Sequence, residues 1–196
     1  LRRFESFTPH SPIGAAREEA RASSGASGSR VSSQVVLGSF MTNNTPFYEE
    51  GLRFSCTRCS MCCRFDPGYV FLSETDIASL MAHFDAFRRE IEDRYCRHVE
   101  MDGHVRLSLQ EQSNNDCVFW KDGGCTIYEA RPLQCRSFPF WPSYLFSEYT
   151  WQSVRSFCPG VGIGELHSRD DIDGWLRAAE REPYIRTPRS GAGTDQ

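Results

Sequence analysis

Four cysteines lie within eight residues of this chain, in the segment Cys56-Thr-Arg-Cys59-Ser-Met-Cys62-Cys63. The two-residue spacings allow one tight loop to point several sulfur atoms at a common centre. Thiolates are soft ligands that suit zinc and iron–sulfur clusters rather than calcium or magnesium. The segment therefore predicts a metal site, around which the rest of the chain must fold.

The chain of 196 residues contains nine cysteines, and its first residues include no apolar stretch of the kind found in secretory signals. Disulfide bonds are the alternative explanation for so many thiols. The odd number, the adjacent pair Cys62-Cys63 and the two-residue spacings all weigh against disulfides. We therefore expect reduced thiols and a cytoplasmic location, where disulfides are rare.

Cys96 continues the polar edge of a predicted helix, so we leave it out of the metal site. Eight thiolates would fill two tetrahedral sites, but a single site that uses part of the set stays open. Adjacent side chains such as those of Cys62 and Cys63 tend to point apart, so one of them could serve a second centre. The predicted metal ligands are Cys56, Cys59, Cys62, Cys63, Cys117, Cys125, Cys135 and Cys158.

Arginines beside the cysteines could offset the negative charge of a thiolate centre. Arg131 and Arg136 flank the segment around Cys135, and we expect both to contact the bound cofactor. Arg58 and Arg64 also stand beside cysteines, but they are equally explained as solvated surface residues. The first pair is therefore the predicted cofactor-binding pair.

The composition excludes two classes of partner. A formal net charge of −4 argues against nucleic acid, because phosphate binding needs a basic surface. The longest uncharged apolar-rich run near the predicted core, residues 137–147, is far too short to cross a bilayer and contains two prolines. We expect neither nucleic acid nor a membrane as a partner, and a metal ion or cluster is the partner that the sequence indicates.

A shift in composition divides the chain. Residues 15–33 are rich in Ala, Ser, Gly and Arg and contain hardly any large apolar side chain, which predicts disorder. Met41 is the first methionine and stands just before the shift, so we hypothesise that it is the true start. We expect a disordered N-terminal tail over residues 1–45, a metal-binding domain over residues 46–182 and a disordered C-terminal tail over residues 183–196.

Two hairpins are predicted within the domain. The first turns at Asp102-Gly103, between two segments of alternating hydrophobicity. The second turns at residues 121–124 and sets Trp120 opposite Cys125. In that register Cys117 and Cys125 lie on opposite faces, so sharing one metal would require a bulge near the glycines.

Capping patterns predict where helices begin. Ser73 and Asp76 start an amphipathic helix that breaks near Phe87, and the segment Ser168 to Asp171 starts another. The glycines of residues 160–164 are interpreted as a flexible turn. The expected fold class is therefore α+β, a small irregular domain of hairpins and short helices around a metal site.

Four segments with cysteines follow one another in a specific order: Gly51-Leu-Arg-Phe-Ser-Cys-Thr-Arg-Cys-Ser-Met-Cys-Cys63, Cys117-Val-Phe-Trp120, Cys125-Thr-Ile-Tyr-Glu-Ala-Arg-Pro132 and Cys135-Arg-Ser-Phe-Pro139. Together they resemble the YkgJ-type cysteine-cluster family, which is described as a zinc- or iron-chelating domain. The resemblance covers roughly residues 47–160. It implies metal chelation, chiefly through the cysteines of these segments.

The same resemblance raises an enzymatic alternative. A related cysteine-rich region occurs in flagellin lysine methylase, which is thought to carry an iron–sulfur cluster. The present chain shows no recognisable S-adenosylmethionine site outside its cysteine region.

Three functions are consistent with these observations. The first is a metal-binding protein whose centre is structural or serves storage, delivery or sensing. The second is an iron–sulfur redox enzyme or electron carrier, and the third is a structural zinc module that supports an interaction surface. The ferredoxin-like cysteine run and the aromatic residues of segment 138–151 favour a [4Fe–4S] cluster over zinc.

Overall fold

The computed structural model describes residues 45–188, which form short helices and small antiparallel sheets. The predicted α+β class is confirmed. Met41, nearly all of the predicted N-terminal tail and residues 189–196 lie outside the described residues. In chain order the elements are β1 (Leu52–Phe54), a 3₁₀ turn (Met61–Cys63), α1 (Glu74–Phe84), α2 (Arg88–Tyr95), β2 (Cys96–Met101), β3 (His104–Leu109), β4 (Trp120–Lys121), β5 (Gly124–Cys125), a second 3₁₀ turn (Tyr128–Ala130), α3 (Leu133–Arg136), α4 (Glu148–Val154), β6 (Val161–His167), α5 (Arg169–Arg181) and β7 (Arg186–Pro188).

The first predicted hairpin is confirmed. Strands β2 and β3 pair with Met101 opposite His104, and Asp102 and Gly103 form the turn with positive φ angles of 51° and 71°. An Asp-Gly pair is favoured there because both positions of this tight turn need a left-handed backbone. Strand β7 then pairs with the other edge of β3, so the chain stays in the sheet beyond the boundary predicted at residue 182.

One hydrophobic core lies between the first two helices, β3 and the second hairpin. Helix α1 begins with the predicted capping box, in which Ser73 and Asp76 exchange side-chain and backbone bonds. The break near Phe87 is also confirmed, because α1 ends at Asp85 in a left-handed conformation and α2 begins at Arg88. Leu80 is fully buried in this core, which supports the cysteine-bearing region.

A second core is mainly aromatic. The rings of Phe140 and Trp151 stack with centroids 5.7 Å apart, and both side chains are buried. Tyr48 packs against the same cluster, and its hydroxyl donates to Asp173 of α5. Much of the aromatic segment 138–151 thus serves as ordinary core, which stabilises the part of the chain that carries Cys158.

The interpretation of the glycine-rich segment as a flexible turn is wrong for Gly162 and Gly164, although Gly160 does lie in a turn. Gly162 and Gly164 belong to β6, which pairs antiparallel with β1. The N–H of Ser55 donates to the carbonyl of Gly160 over 3.2 Å, and a Cβ added at Gly160 would overlap the carbonyl oxygen of Ser55. The glycines therefore allow a close approach that brings the late Cys-Pro beside the cysteine loop. Among the described residues, no helix has the length and apolar character needed to cross a membrane.

Candidate metal centre

The cysteine loop curls sharply after β1. Arg58 and Ser60 have positive φ angles of 55° and 63°, which is uncommon for residues other than glycine. These conformations bend the backbone between successive cysteines, and Cys59 and Cys62 remain exposed. The loop thus presents its thiols at the surface of the fold rather than inside either core.

The end of the loop is fastened to the segment around Cys117. The backbone N–H of Cys117 donates to the carbonyl of Cys63 over 2.8 Å. The guanidinium of Arg64 lies 3.2 Å from both carboxylate oxygens of Asp116, whose side chain is only 2% exposed, and it stacks 3.7 Å from the centre of the Trp120 ring. These contacts place two predicted ligands side by side through groups other than their sulfurs.

The second hairpin has the predicted pairing of Trp120 with Cys125, but each of its strands is only two residues long. Cys117 lies outside the ladder, in a turn where its carbonyl accepts from the N–H of Trp120 over 2.8 Å. The alternation of faces therefore does not extend to Cys117. Both cysteines line one cavity, so the bulge predicted near the glycines is not needed.

That cavity has a volume of about 270 Å³ and opens to solvent. It lies between the loop, the second hairpin and the segment that leads into α3. The predicted ligands that line it are Cys56, Cys62, Cys63, Cys117, Cys125 and Cys135.

A second, smaller cavity adjoins the first. Its volume is about 30 Å³, and Phe54, Met61, Phe138 and Phe157 supply most of its apolar wall. Phe54 and Phe138 meet edge to face, with ring centroids 6.4 Å apart, which closes the cavity from the aromatic core. The predicted ligands that line it are Cys56, Cys59, Cys62 and Cys158.

Each predicted ligand thus lines at least one of two adjoining cavities. Cys96 lines neither cavity and is buried in the first core. None of the nine cysteines forms a disulfide. Within residues 45–188, no three Cys, His, Asp or Glu side chains already converge on a single ion-sized point, so the thiols surround space rather than one another. A donor set made only of thiols fits zinc or an iron–sulfur cluster.

The protonation of the buried thiols depends on their neighbours. Burial raises the pKa of Cys125, and the nearby Cys63 raises it further, while the Ile127 backbone N–H and Arg131 lower it. The Cys125 thiol therefore keeps its proton in the metal-free protein at neutral pH and must release it to bind a metal.

Burial likewise raises the pKa of Cys158. The backbone N–H groups of Gly160 and Val161 oppose this change, whereas the neighbouring thiols of Cys59 and Cys56 add to it. The interaction shows that the late cysteine lies within electrostatic reach of the loop.

Two arginines share one tyrosine at the rim of the larger cavity. The guanidinium carbons of Arg58 and Arg131 lie 4.2 Å and 3.5 Å from the centre of the Tyr128 ring, and all three residues line the cavity. Arg136 is exposed, and its Nε donates to the carbonyl of Arg131 over 3.0 Å. Its predicted contact with the cofactor therefore stays a prediction, and Arg58 is the better-placed cation.

Cys62 and Cys63 do not point apart as expected for adjacent residues. Their Sγ atoms lie 3.7 Å from each other, on the 3₁₀ turn Met61–Cys63. The pair stands where the two cavities meet, since Cys62 lines both and Cys63 lines only the larger one.

A family model described as "CxxCxxCC: Putative zinc- or iron-chelating domain" matches residues 55–159, which is more than half of the chain. The chain belongs to this family. The match begins just before Cys56 and ends just after Cys158, so it includes every predicted ligand and agrees with the resemblance found in the sequence. Membership of this zinc- or iron-chelating family supports metal binding as the property of the region.

An uncharacterized protein of Methanocaldococcus jannaschii is similar to this chain, with 22% identity over 125 residues. The aligned part covers 61% of this chain and 41% of that protein, so the chain spans less than half of the relative's length. No solved structure matches this chain.

Proposed function

We propose that this chain is an iron–sulfur protein whose cluster is held by the cysteine loop and by the cysteines of the second hairpin and α3. The observation that carries the proposal is the cavity of about 270 Å³ lined by six thiols. Four thiolates on one zinc ion meet around it and leave no comparable space. A cavity of about 150 Å³ already holds a molecule as large as benzene, so this one has room for a polyatomic cluster.

The surroundings of the cavity favour a redox or electron-transfer role over storage of metal. The cavity opens to solvent, which gives an electron donor or a substrate direct access. Arg58 and Arg131 at its rim supply positive charge that offsets the negative charge of a thiolate-bound cluster. Reduced thiols are consistent with a cytoplasmic location, which we propose together with the redox role.

A structural zinc module is the second candidate. The smaller cavity favours it, because four cysteines line a space of about 30 Å³ with apolar walls. A structural zinc site has all four coordination positions filled by protein ligands. Zinc in such a site would fasten the loop to the aromatic core without redox chemistry.

Anaerobic purification followed by metal and acid-labile sulfide analysis tests the proposal. An iron–sulfur protein is expected to be brown and to contain iron and sulfide in similar amounts. A colourless protein that contains stoichiometric zinc and no sulfide would contradict the proposal and support the structural zinc module.

A further inference from the structure

We infer that the eight cysteines form two adjoining centres of different kinds. The first is a closed site for one metal ion, formed by Cys56, Cys59, Cys62 and Cys158. The second is an open centre for an iron–sulfur cluster, formed by Cys63, Cys117, Cys125 and Cys135. The inference rests on the proposed function, because its open centre is the iron–sulfur cluster proposed above.

The division follows from which thiols line which cavity. The four cysteines of the open centre line only the larger cavity, whereas Cys59 and Cys158 line only the smaller one. Cys56 and Cys62 line both and form the wall between them. The larger cavity has four ligands without these two, but the smaller one needs both of them to complete a tetrahedral set.

The two cavities differ in size by enough to separate a single ion from a cluster. A space of about 30 Å³ is the share that one water molecule takes in the liquid, so it has room for one ion once the sulfurs close around it. The larger space, of about 270 Å³, is about nine times that volume. One ion would occupy only a small part of it, whereas a polyatomic cluster would fill much more of the space between the four sulfurs.

The walls of the two cavities also differ. Phenylalanine rings and Met61 surround the smaller one, and no arginine is among the residues that line it. An apolar wall of this kind is typical of a structural ion. The larger cavity carries Arg58 and Arg131 and opens to solvent, which suits a charged centre that exchanges electrons.

Electrostatic neighbours agree with the same grouping. Cys158 interacts with Cys59 and Cys56, and Cys125 interacts with Cys63. The backbone bond from Cys117 to Cys63 adds a contact within the open centre. Each of these interactions falls within one group, whereas the contact of 3.7 Å between the Sγ atoms of Cys62 and Cys63 crosses from one group to the other.

The pair Cys62 and Cys63 also allows a rival arrangement, in which a single site uses both sulfurs. A zinc–sulfur distance of about 2.3 Å gives a tetrahedral edge of about 3.8 Å, close to the 3.7 Å between their Sγ atoms. Both sulfurs could therefore bind one ion in a single shared site. In the two-centre arrangement the same contact makes the centres direct neighbours.

The experiment compares variants of the full chain, each purified anaerobically and analysed for iron, zinc and acid-labile sulfide, with iron Mössbauer spectra of the same samples. Cys59→Ser and Cys158→Ser remove ligands of the closed site, whereas Cys125→Ser and Cys135→Ser remove ligands of the open centre. Cys96→Ser is the matched control. Circular dichroism checks that each sample is folded. If Cys158→Ser does not fold, because Cys158 is buried, Cys59→Ser tests the closed site.

We expect the wild-type chain to contain sulfide together with metal in excess of the cluster. Cys59→Ser is expected to lose the excess metal and retain most of its sulfide. Cys125→Ser and Cys135→Ser are expected to lose sulfide and the cluster signal while retaining the excess metal, and Cys96→Ser should retain both. If all four ligand variants lose sulfide and metal in the same proportion, or the wild type holds only one kind of centre, the division is overturned. A wild type without acid-labile sulfide would instead overturn the proposed function itself.

Discussion

The backbone N–H of Cys117 donates to the carbonyl oxygen of Cys63 over 2.8 Å. This bond joins the end of the cysteine loop to a residue more than fifty positions later, and it involves no sulfur atom. The neighbouring pair of Arg64 and Asp116 strengthens the same junction with a carboxylate that is almost fully buried. One side of the metal region is therefore positioned by protein contacts before any metal binds.

Replacement of Arg64 tests that junction. Arg64→Ala leaves the carboxylate of Asp116 buried without its cation, and loss of one partner from a buried pair costs about 3–5 kcal/mol. Because Arg64 is 28% exposed, we expect the lower end of that range in the free energy of unfolding, measured in urea. Arg89→Ala is the control, because its pair with Asp93 is highly exposed and should contribute less than about 1 kcal/mol. Equal effects of the two replacements would contradict this account.

Loss of single thiols tests the coupling of metal binding to folding. Cys59→Ser and Cys135→Ser are each expected to lower bound metal and the melting temperature together, because ligation supplies folding free energy. Structural zinc in small peptides contributes about 10–16 kcal/mol, so even partial loss should exceed about 2 kcal/mol. Metal analysis and thermal unfolding of the same samples measure both effects. Full metal retention with an unchanged melting temperature in both variants would show that these thiols are not ligands.

The close approach of β6 to the loop makes a further prediction. Gly160→Ala places a methyl group against the carbonyl of Ser55, the residue before Cys56, so the backbone must shift. We expect lower stability and weaker metal retention, measured by thermal unfolding and by resistance to a chelator. Gly174→Ala in α5 is the control, since a Cβ added there would meet only the tip of the Arg177 side chain at 4.0 Å, and alanine favours a helix by up to about 1 kcal/mol. Normal metal retention in the first variant would mean that the approach of β6 is not needed for the site.

Cys96 makes a prediction about pH. Burial and, to a smaller extent, Glu92 together raise its pKa to about 12 in the folded chain, whereas the unfolded thiol titrates near 9.0. The stability contributed by the protonated thiol is therefore complete below about pH 9 and decreases as the pH rises towards 12. Cys96→Ala should remove this part of the alkaline loss, which amounts to at most about 1.4 kcal/mol per pH unit. Urea unfolding of both proteins from about pH 8 to about pH 11 measures the difference in the free energy of unfolding. Parallel pH curves would contradict the assignment of this alkaline loss to Cys96.

Local patterns predicted much of the fold. The Asp102-Gly103 turn and the capping box at Ser73 depend on a few neighbouring residues, and both are present as expected. Signals of this kind are short-range, so a single sequence contains them in full. The reason given for leaving Cys96 out of the site is wrong, because Cys96 begins β2 and is buried in the first core rather than lying on a polar helix edge, although it lines neither cavity.

Long-range approach was harder to predict. The glycines of β6 look like a turn because their role is to let Ser55 pass close by, and nothing near them in the sequence indicates that contact. The apparent conflict between Cys117 and Cys125 arose in the same way, from extending a two-residue ladder too far. The short distance between the Sγ atoms of Cys62 and Cys63 was not predicted either. The first miss concerns how distant segments meet, whereas the other two concern local backbone that strict alternation of side chains does not describe.

X-ray absorption at the metal edge of the anaerobically purified, full-length protein tests the central claim most directly. If the described cysteines hold the metal, the nearest shell should consist of sulfur alone, at about 2.3 Å. In an iron-loaded sample a second shell of iron should follow, as a cluster requires. A first shell dominated by nitrogen or oxygen would contradict the claim that metal is bound by thiolates of the loop together with those of Cys117, Cys125, Cys135 and Cys158.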